Sequence, residues 1–110
     1  MIAFSSNQFG AQAPCSSDCE RAYLFHKMDL PPDTFPVFDK AIVNGPGSLE
    51  PFVVAKGNAK PYGTATSFPQ IAWNYEKFIA DEHGKPVARF GPADDPLEAE
   101  PIIRKLLSLE

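Results

Sequence analysis

The sequence predicts an α/β fold in a single domain spanning residues 1–110. Three observations carry that expectation. A short apolar run, Ile2-Ala3-Phe4, is followed at a distance by Ser17-Asp18-Cys19-Glu20, a capping-box pattern that opens a helix. A run rich in aromatic residues from Trp73 to Ala80 is separated from Pro86–Phe90 by Asp81-Glu82-His83-Gly84, the signature of a hairpin. Near the end, Ile102, Ile103, Leu106 and Leu107 recur at helical spacing.

Taken in order, Ile2-Ala3-Phe4 reads as the end of a buried strand, and residues 5–14 as a loop punctuated by Gly10 and Pro14. Ser17 is the expected N-cap of a helix running to Met28, with Tyr23, Phe25 and Met28 toward its buried face. Pro31-Pro32 end it, because proline lacks the N–H a helix needs. Phe35–Phe38 and Ala41–Val43 read as short extended pieces, with Asn44-Gly45-Pro46-Gly47 as a turn. Leu49–Lys56 is a second helix that Gly57 closes, and residues 57–70 are a loop. The last helix starts near Glu98–Pro101, with proline tolerated in its first turn. Its acidic residues, Glu98 and Glu100, lie at the start, and Arg104 and Lys105 near the end, as the helix dipole favours.

Composition excludes several classes. A hydrophobic fraction of 44% with nine phenylalanines is that of a globular chain. A net charge of −4 without a basic cluster argues against nucleic acid as a partner. No apolar run approaches the roughly 20 residues of a membrane span. With no secretory leader visible, the expected location is cytoplasmic, organelle targeting by a missing N-terminus remaining open. Two cysteines do not suggest a disulfide scaffold. Cys15 and Cys19 lack the partner pair of a zinc site, and His26 and His83 do not have ligand spacing, so no metal is expected.

Phe4-Ser5-Ser6-Asn7-Gln8-Phe9-Gly10, Phe35-Pro36-Val37-Phe38-Asp39-Lys40, Val43-Asn44-Gly45, Trp73-Asn74-Tyr75-Glu76-Lys77-Phe78, and Gly84-Lys85-Pro86-Val87 with Arg89-Phe90 stand in this order along the chain. Together they make the chain resemble the glutathione peroxidase family over essentially its whole length. The resemblance implies a thioredoxin-like fold, a mixed central sheet flanked by helices. The chain holds the ββα half well and only the tail of the βαβ half. The strand and helix that carry the nucleophile are therefore expected to be missing, as in an N-terminally truncated member.

The family implies reduction of hydroperoxides with glutathione or thioredoxin as co-substrate, in the response to oxidative stress, and no bound cofactor. It also implies three catalytic residues: Gln8, Trp73 and Asn74. In that family these side chains surround a peroxidatic cysteine or selenocysteine. The chemistry suits them. A thiolate or selenolate is the nucleophile, and carboxamide and indole N–H groups support an anion without losing a proton to it. Each residue alone has an ordinary structural explanation, as a turn residue or a packed indole.

The departures also carry expectations. The family's Asn-Val-Ala-Ser-(Cys or selenocysteine)-Gly-like string is absent, so the chain alone is expected to be inactive. Phe25 stands where many thioredoxin-using members carry a resolving cysteine, which favours glutathione. The short stretch before Trp73 resembles the monomeric type, open to bulky lipid hydroperoxides. The alternative is a non-catalytic remnant or a redox-sensing module that uses Cys15 and Cys19, which flank a helix N-terminus where thiol pKa values fall. Lys56, Lys60 and Lys77 are scattered and need no role in glutathione binding.

Overall fold

A computed structural model describes residues 1–65 and 70–109. The chain packs as two compact units, residues 1–49 and 50–110.

The first unit is built on two parallel strands, β1 (Ala3–Phe4) and β2 (Val37–Phe38), with Ala3 opposite Val37 and Phe4 opposite Phe38. Phe4 and Phe38 stack with ring centroids 5.2 Å apart. Parallel strands need a crossover, and helix α1 (Ser17–Met28) supplies it. Its N-cap is Ser16, one residue before the sequence expectation of Ser17. The Ser16 hydroxyl accepts the Cys19 N–H at 3.3 Å. Glu20 turns back instead to the Cys15 N–H at 3.0 Å, outside the helix. Asp29 closes the helix in the left-handed region at φ 49°. The expected buried face differs: Tyr23 and Met28 are exposed, whereas Leu24 and Phe25 are half-buried. Phe9, Val37 and Val43 form the buried apolar set of this unit.

Ala41–Val43 does not form a strand, and the reason is a side chain. The Val43 and Asn44 N–H groups donate to Gln8 Oε1, at 2.7 and 3.1 Å, and not to a neighbouring strand. Phe35 is likewise outside β2, its N–H bonded to the Pro31 carbonyl at 3.0 Å in a turn.

The second unit begins with α2 (Glu50–Asn58), which runs through Gly57; the Ala59 N–H and the Asn58 carboxamide satisfy the carbonyls of Ala55 and Val54. Next comes β3 (Lys60–Tyr62), which the sequence reading placed inside a loop. A three-residue strand with a proline at its centre gives almost no strand pattern. The hairpin is β4 (Lys77–Ala80) and β5 (Pro86–Phe90), antiparallel, with Phe78 opposite Arg89 and an irregularity at Ile79/Ala80. Asp81 organises its turn by accepting the N–H groups of His83 and Lys85, both at 2.9 Å. Strand β5 lies between β4 and the parallel β3, making a mixed three-stranded sheet.

A 3-10 turn (Pro96–Ala99), capped by Asp95, leads into α3 (Glu100–Leu106). Ala88, Phe90 and Ala99 form the core, with Tyr62, Ile79, Val87 and Ile102 packed against it. Ile103, Leu106 and Leu107 share the helical spacing but are exposed. Part of the expected 57–70 loop, residues 66–69, lies outside the described residues. No helix of the described residues is long and apolar enough to cross a membrane.

Candidate functional site

Gln8 belongs to the first unit, on the turn that follows β1. Its carboxamide grips the backbone of residues 43–44. Oε1 accepts two N–H groups there, and Nε2 donates to the Asn44 carbonyl at 2.8 Å. A primary amide carries two N–H donors, and this contact uses one of them. The side chain is therefore fixed by three backbone bonds, while the residue as a whole stays exposed. Asn7 plays a local part, its carbonyl oxygen accepting the Ala13 N–H at 3.0 Å.

Trp73 and Asn74 belong to the second unit and lie in the turn that enters β4, not in the strand itself. The sequence reading began the strand at Trp73; the structure begins it at Lys77. The turn interrupts the pleat at Tyr75, whose φ of 66° is left-handed, a conformation that costs a non-glycine residue free energy. Trp73 is 47% exposed and Asn74 half-buried.

What holds that turn is a buried ion pair that the sequence reading did not single out. Arg89 Nε donates to Glu76 Oε1, with the two side chains 2% and 3% exposed. The other Glu76 oxygen accepts the Ala72 N–H at 2.9 Å, and an Arg89 terminal nitrogen donates to the Gln70 carbonyl at 2.8 Å. The Arg89 guanidinium also lies 5.4 Å from the centroid of the Phe78 ring. Thus the Glu76–Arg89 pair fastens residues 70 and 72, on the approach to Trp73-Asn74, to the central strand β5. A buried charge is costly unless paired and hydrogen-bonded, and here each ion also bonds a backbone group, Glu76 the Ala72 N–H and Arg89 the Gln70 carbonyl. The one available signal was an Arg inside an otherwise apolar strand, Pro86–Phe90, thirteen residues from a Glu on the facing run.

A second clamp holds the same end of the sheet. The buried Asp94 carboxylate accepts the Thr64 N–H, the Thr64 hydroxyl and the Gly91 N–H, at 2.7–3.0 Å. Burial pushes this carboxyl up, but the donors from Thr64 and Gly91 and the Lys77 charge outweigh it, so it lies below its ordinary value. Lys77 donates to the carbonyls of Gly91, Pro92 and Asp94. Lys77 is therefore structural. Lys60 lies over the Tyr62 ring, 5.1 Å from its centroid. The half-buried Lys56 has its pKa lowered by burial and by Arg89, with Glu76 opposing.

Cys15 and Cys19 form a disulfide with Cα atoms 5.6 Å apart, within the usual range for such a bond. The expectation of two cysteines without a bridge is corrected by the geometry of the helix start. The turn of chain around Ser16 brings the residue before the cap over the third residue of the helix. His26 and His83 are exposed.

No family model matches the chain. Phospholipid hydroperoxide glutathione peroxidase 1, chloroplastic, of Arabidopsis thaliana is 36% identical over 108 residues, covering 98% of this chain and 43% of its own length. The chain belongs among the glutathione peroxidase homologues. Phospholipid hydroperoxide glutathione peroxidase, chloroplastic, of Pisum sativum is 36% identical over 109 residues, with the same two coverages. Glutathione peroxidase 1 of Helianthus annuus is 35% identical over 109 residues, 99% of this chain and 61% of its own length. The glutathione peroxidase homologue thus spans about half the length of these curated relatives. Among solved structures, a crystal structure of Trgpx in apo form is similar at a TM-score of 0.61 and 20% identity, covering 97% of this chain and 78% of that one. The fold is thioredoxin-like α/β.

Proposed function

We propose that the chain supplies the donor side of a hydroperoxide-reducing site, with glutathione or thioredoxin as the reductant. The observation that carries this reading is the 36% identity to phospholipid hydroperoxide glutathione peroxidases over 98% of the chain. The attacking thiolate or selenolate is assigned to sequence outside these 110 residues, and both units are read as parts of one domain. In the reaction, that anion attacks one peroxide oxygen, the O–O bond breaks, and the leaving oxygen departs as water or an alcohol after protonation. Two equivalents of thiol then return the nucleophile to its reduced form.

The roles proposed here follow from donor chemistry. The Trp73 indole N–H, the Asn74 carboxamide and the second N–H of Gln8 donate to the anionic chalcogen and to the oxygen that gains charge. Donors fixed before the reaction need no reorganisation during it, and removing one such donor costs roughly 10²–10³ in rate. The rigid seats of these residues support the reading: Gln8 bound to the backbone at 43–44, and the Trp73-Asn74 turn fastened by Glu76 and Arg89. A monomer acting in the cytoplasm is part of the same proposal, beside relatives whose names place them in chloroplasts.

The test is peroxide-dependent thiol oxidation by the 110-residue chain and by a protein that restores the upstream nucleophile. The chain alone is expected to consume peroxide no faster than a free thiol. The restored protein should turn over, and Trp73→Phe, Asn74→Ala and Gln8→Ala should each slow its reaction with peroxide. Full activity in all three variants would overturn the assignment.

A further inference from the structure

We propose that the Cys15–Cys19 bridge is a reversible thiol–disulfide exchange site, with thiols of the glutathione class or small dithiols as its reaction partners. It differs from the donor site in residues and in chemistry, and it is built from the first unit alone.

The two sulfurs are not equivalent. Cys19 is exposed at the third residue of α1, whereas Cys15 is half-buried just before the N-cap. An incoming thiolate therefore meets Cys19 first. It attacks Cys19 Sγ, the bond between the two sulfurs breaks, and Cys15 Sγ leaves with the electron pair. Exchange is faster when the departing thiol has a low pKa. The surroundings of Cys15 favour its anion. Lys40 Nζ donates to the Cys15 carbonyl at 2.7 Å, which holds an ammonium at that residue, and the positive end of the twelve-residue helix α1 begins two residues on, at Ser17.

Nearby carboxylates oppose this only in part. Asp18 and Asp39 are both paired to Arg21, at 2.5 and 2.8 Å, while Glu20 accepts the Cys15 N–H. Lys40 itself is fixed, its own N–H bonded to the Ser17 hydroxyl at 3.0 Å. A second thiolate then attacks the external sulfur of the mixed disulfide. Cys19 is released as a thiolate, both protein thiolates take protons from water, and the two external thiols leave as their disulfide. Two electrons enter the protein, and the reverse sequence oxidises it.

The test equilibrates the folded chain in glutathione buffers of varied reduced-to-oxidised ratio, quenches with an alkylating agent, and counts modified thiols by intact mass. Zero modified thiols at the oxidised end and two at the reduced end, with one reversible midpoint, are expected. Cys15→Ser should accumulate one glutathione on Cys19. Lys40→Met should move the midpoint toward the oxidised form by roughly threefold, the scale of a partly exposed charge contact, and slow reduction by dithiothreitol, while Lys27→Met leaves both unchanged. Circular dichroism of each variant establishes that it is folded. Two alkylated cysteines in the air-oxidised chain would overturn the proposal. So would a bridge that opens only after denaturation, or identical behaviour of the Lys40 and Lys27 variants. No peroxide enters the experiment, so its failure leaves the roles given to Gln8, Trp73 and Asn74 standing.

Discussion

Removing the Glu76 carboxylate should be among the most damaging single changes in the second unit. Glu76→Ala leaves Arg89, 2% exposed, as a buried cation without its counter-ion. Breaking a buried pair from one side costs about 3–5 kcal/mol, because the remaining charge cannot be solvated. The Ala72 N–H also loses its acceptor, although Ala72 is exposed and water can replace the carboxylate. Total stability for a domain is about 5–15 kcal/mol, so the variant is expected to be marginal. For a domain of this size, 1 kcal/mol moves the melting temperature by roughly 4–8 °C, and the loss predicts a drop of at least about 12 °C.

The assay is thermal and urea unfolding of the chain followed by circular dichroism. Arg89→Met and the double variant Glu76→Ala with Arg89→Met complete a thermodynamic cycle. The double variant should be more stable than Glu76→Ala, since it buries apolar groups in place of an orphaned ion. A loss below about 1 kcal/mol, typical of solvent-exposed pairs, would refute the reasoning. So would simple additivity of the two single changes.

Four further outcomes are expected. Asp94 and Asp81 both have folded-state pKa values below the usual carboxylate value of 3.8, Asp81 chiefly through the Lys85 N–H. Their contribution is complete above that value and is lost as the pH falls through the lower folded values; Asp94→Asn should flatten this acid limb in pH-dependent melting. Gly91→Ala should destabilise the sheet, because a Cβ would collide with the Thr64 hydroxyl oxygen and lie 3.1 Å from the Thr64 and Ala65 backbone; urea unfolding measures it. Gly63→Ala should do the same, since its Cβ would stand 2.5 Å from Asp94 Oδ2 at a φ of 55°. Ser16→Ala should cost about 1 kcal/mol by removing the acceptor of the Cys19 N–H, whereas Ser17→Ala should not act as the loss of a cap, a contrast that urea midpoints resolve.

Legibility in the sequence followed how local each cause was. Helix α1 was readable to within one residue of its cap, and strand β5 at its full length, because capping chemistry and the hairpin turn act between near neighbours. Strand β3 was not readable, since Lys60-Pro61-Tyr62 owes its extended form to pairing with residues 88–90. Trp73-Asn74 was recognisable as a string but misplaced on a strand, because the left-handed Tyr75 depends on Glu76 turning back to Ala72. Gln8 was recognisable too, yet its grip on residues 43–44 could not be read, being a contact across more than thirty positions. The Cys15–Cys19 bridge was missed because spacing alone does not say that the chain doubles back at Ser16.

The buried pair also gives the molecule a built-in optical probe. The chain has one tryptophan, and it sits on the turn that Glu76 and Arg89 anchor to the middle strand. Indole emission therefore reports a single place, and its wavelength and quenching follow the loosening of that anchor without any label. Whether the donor turn lets go before the sheet melts, or only with it, becomes a comparison of two curves recorded on one sample.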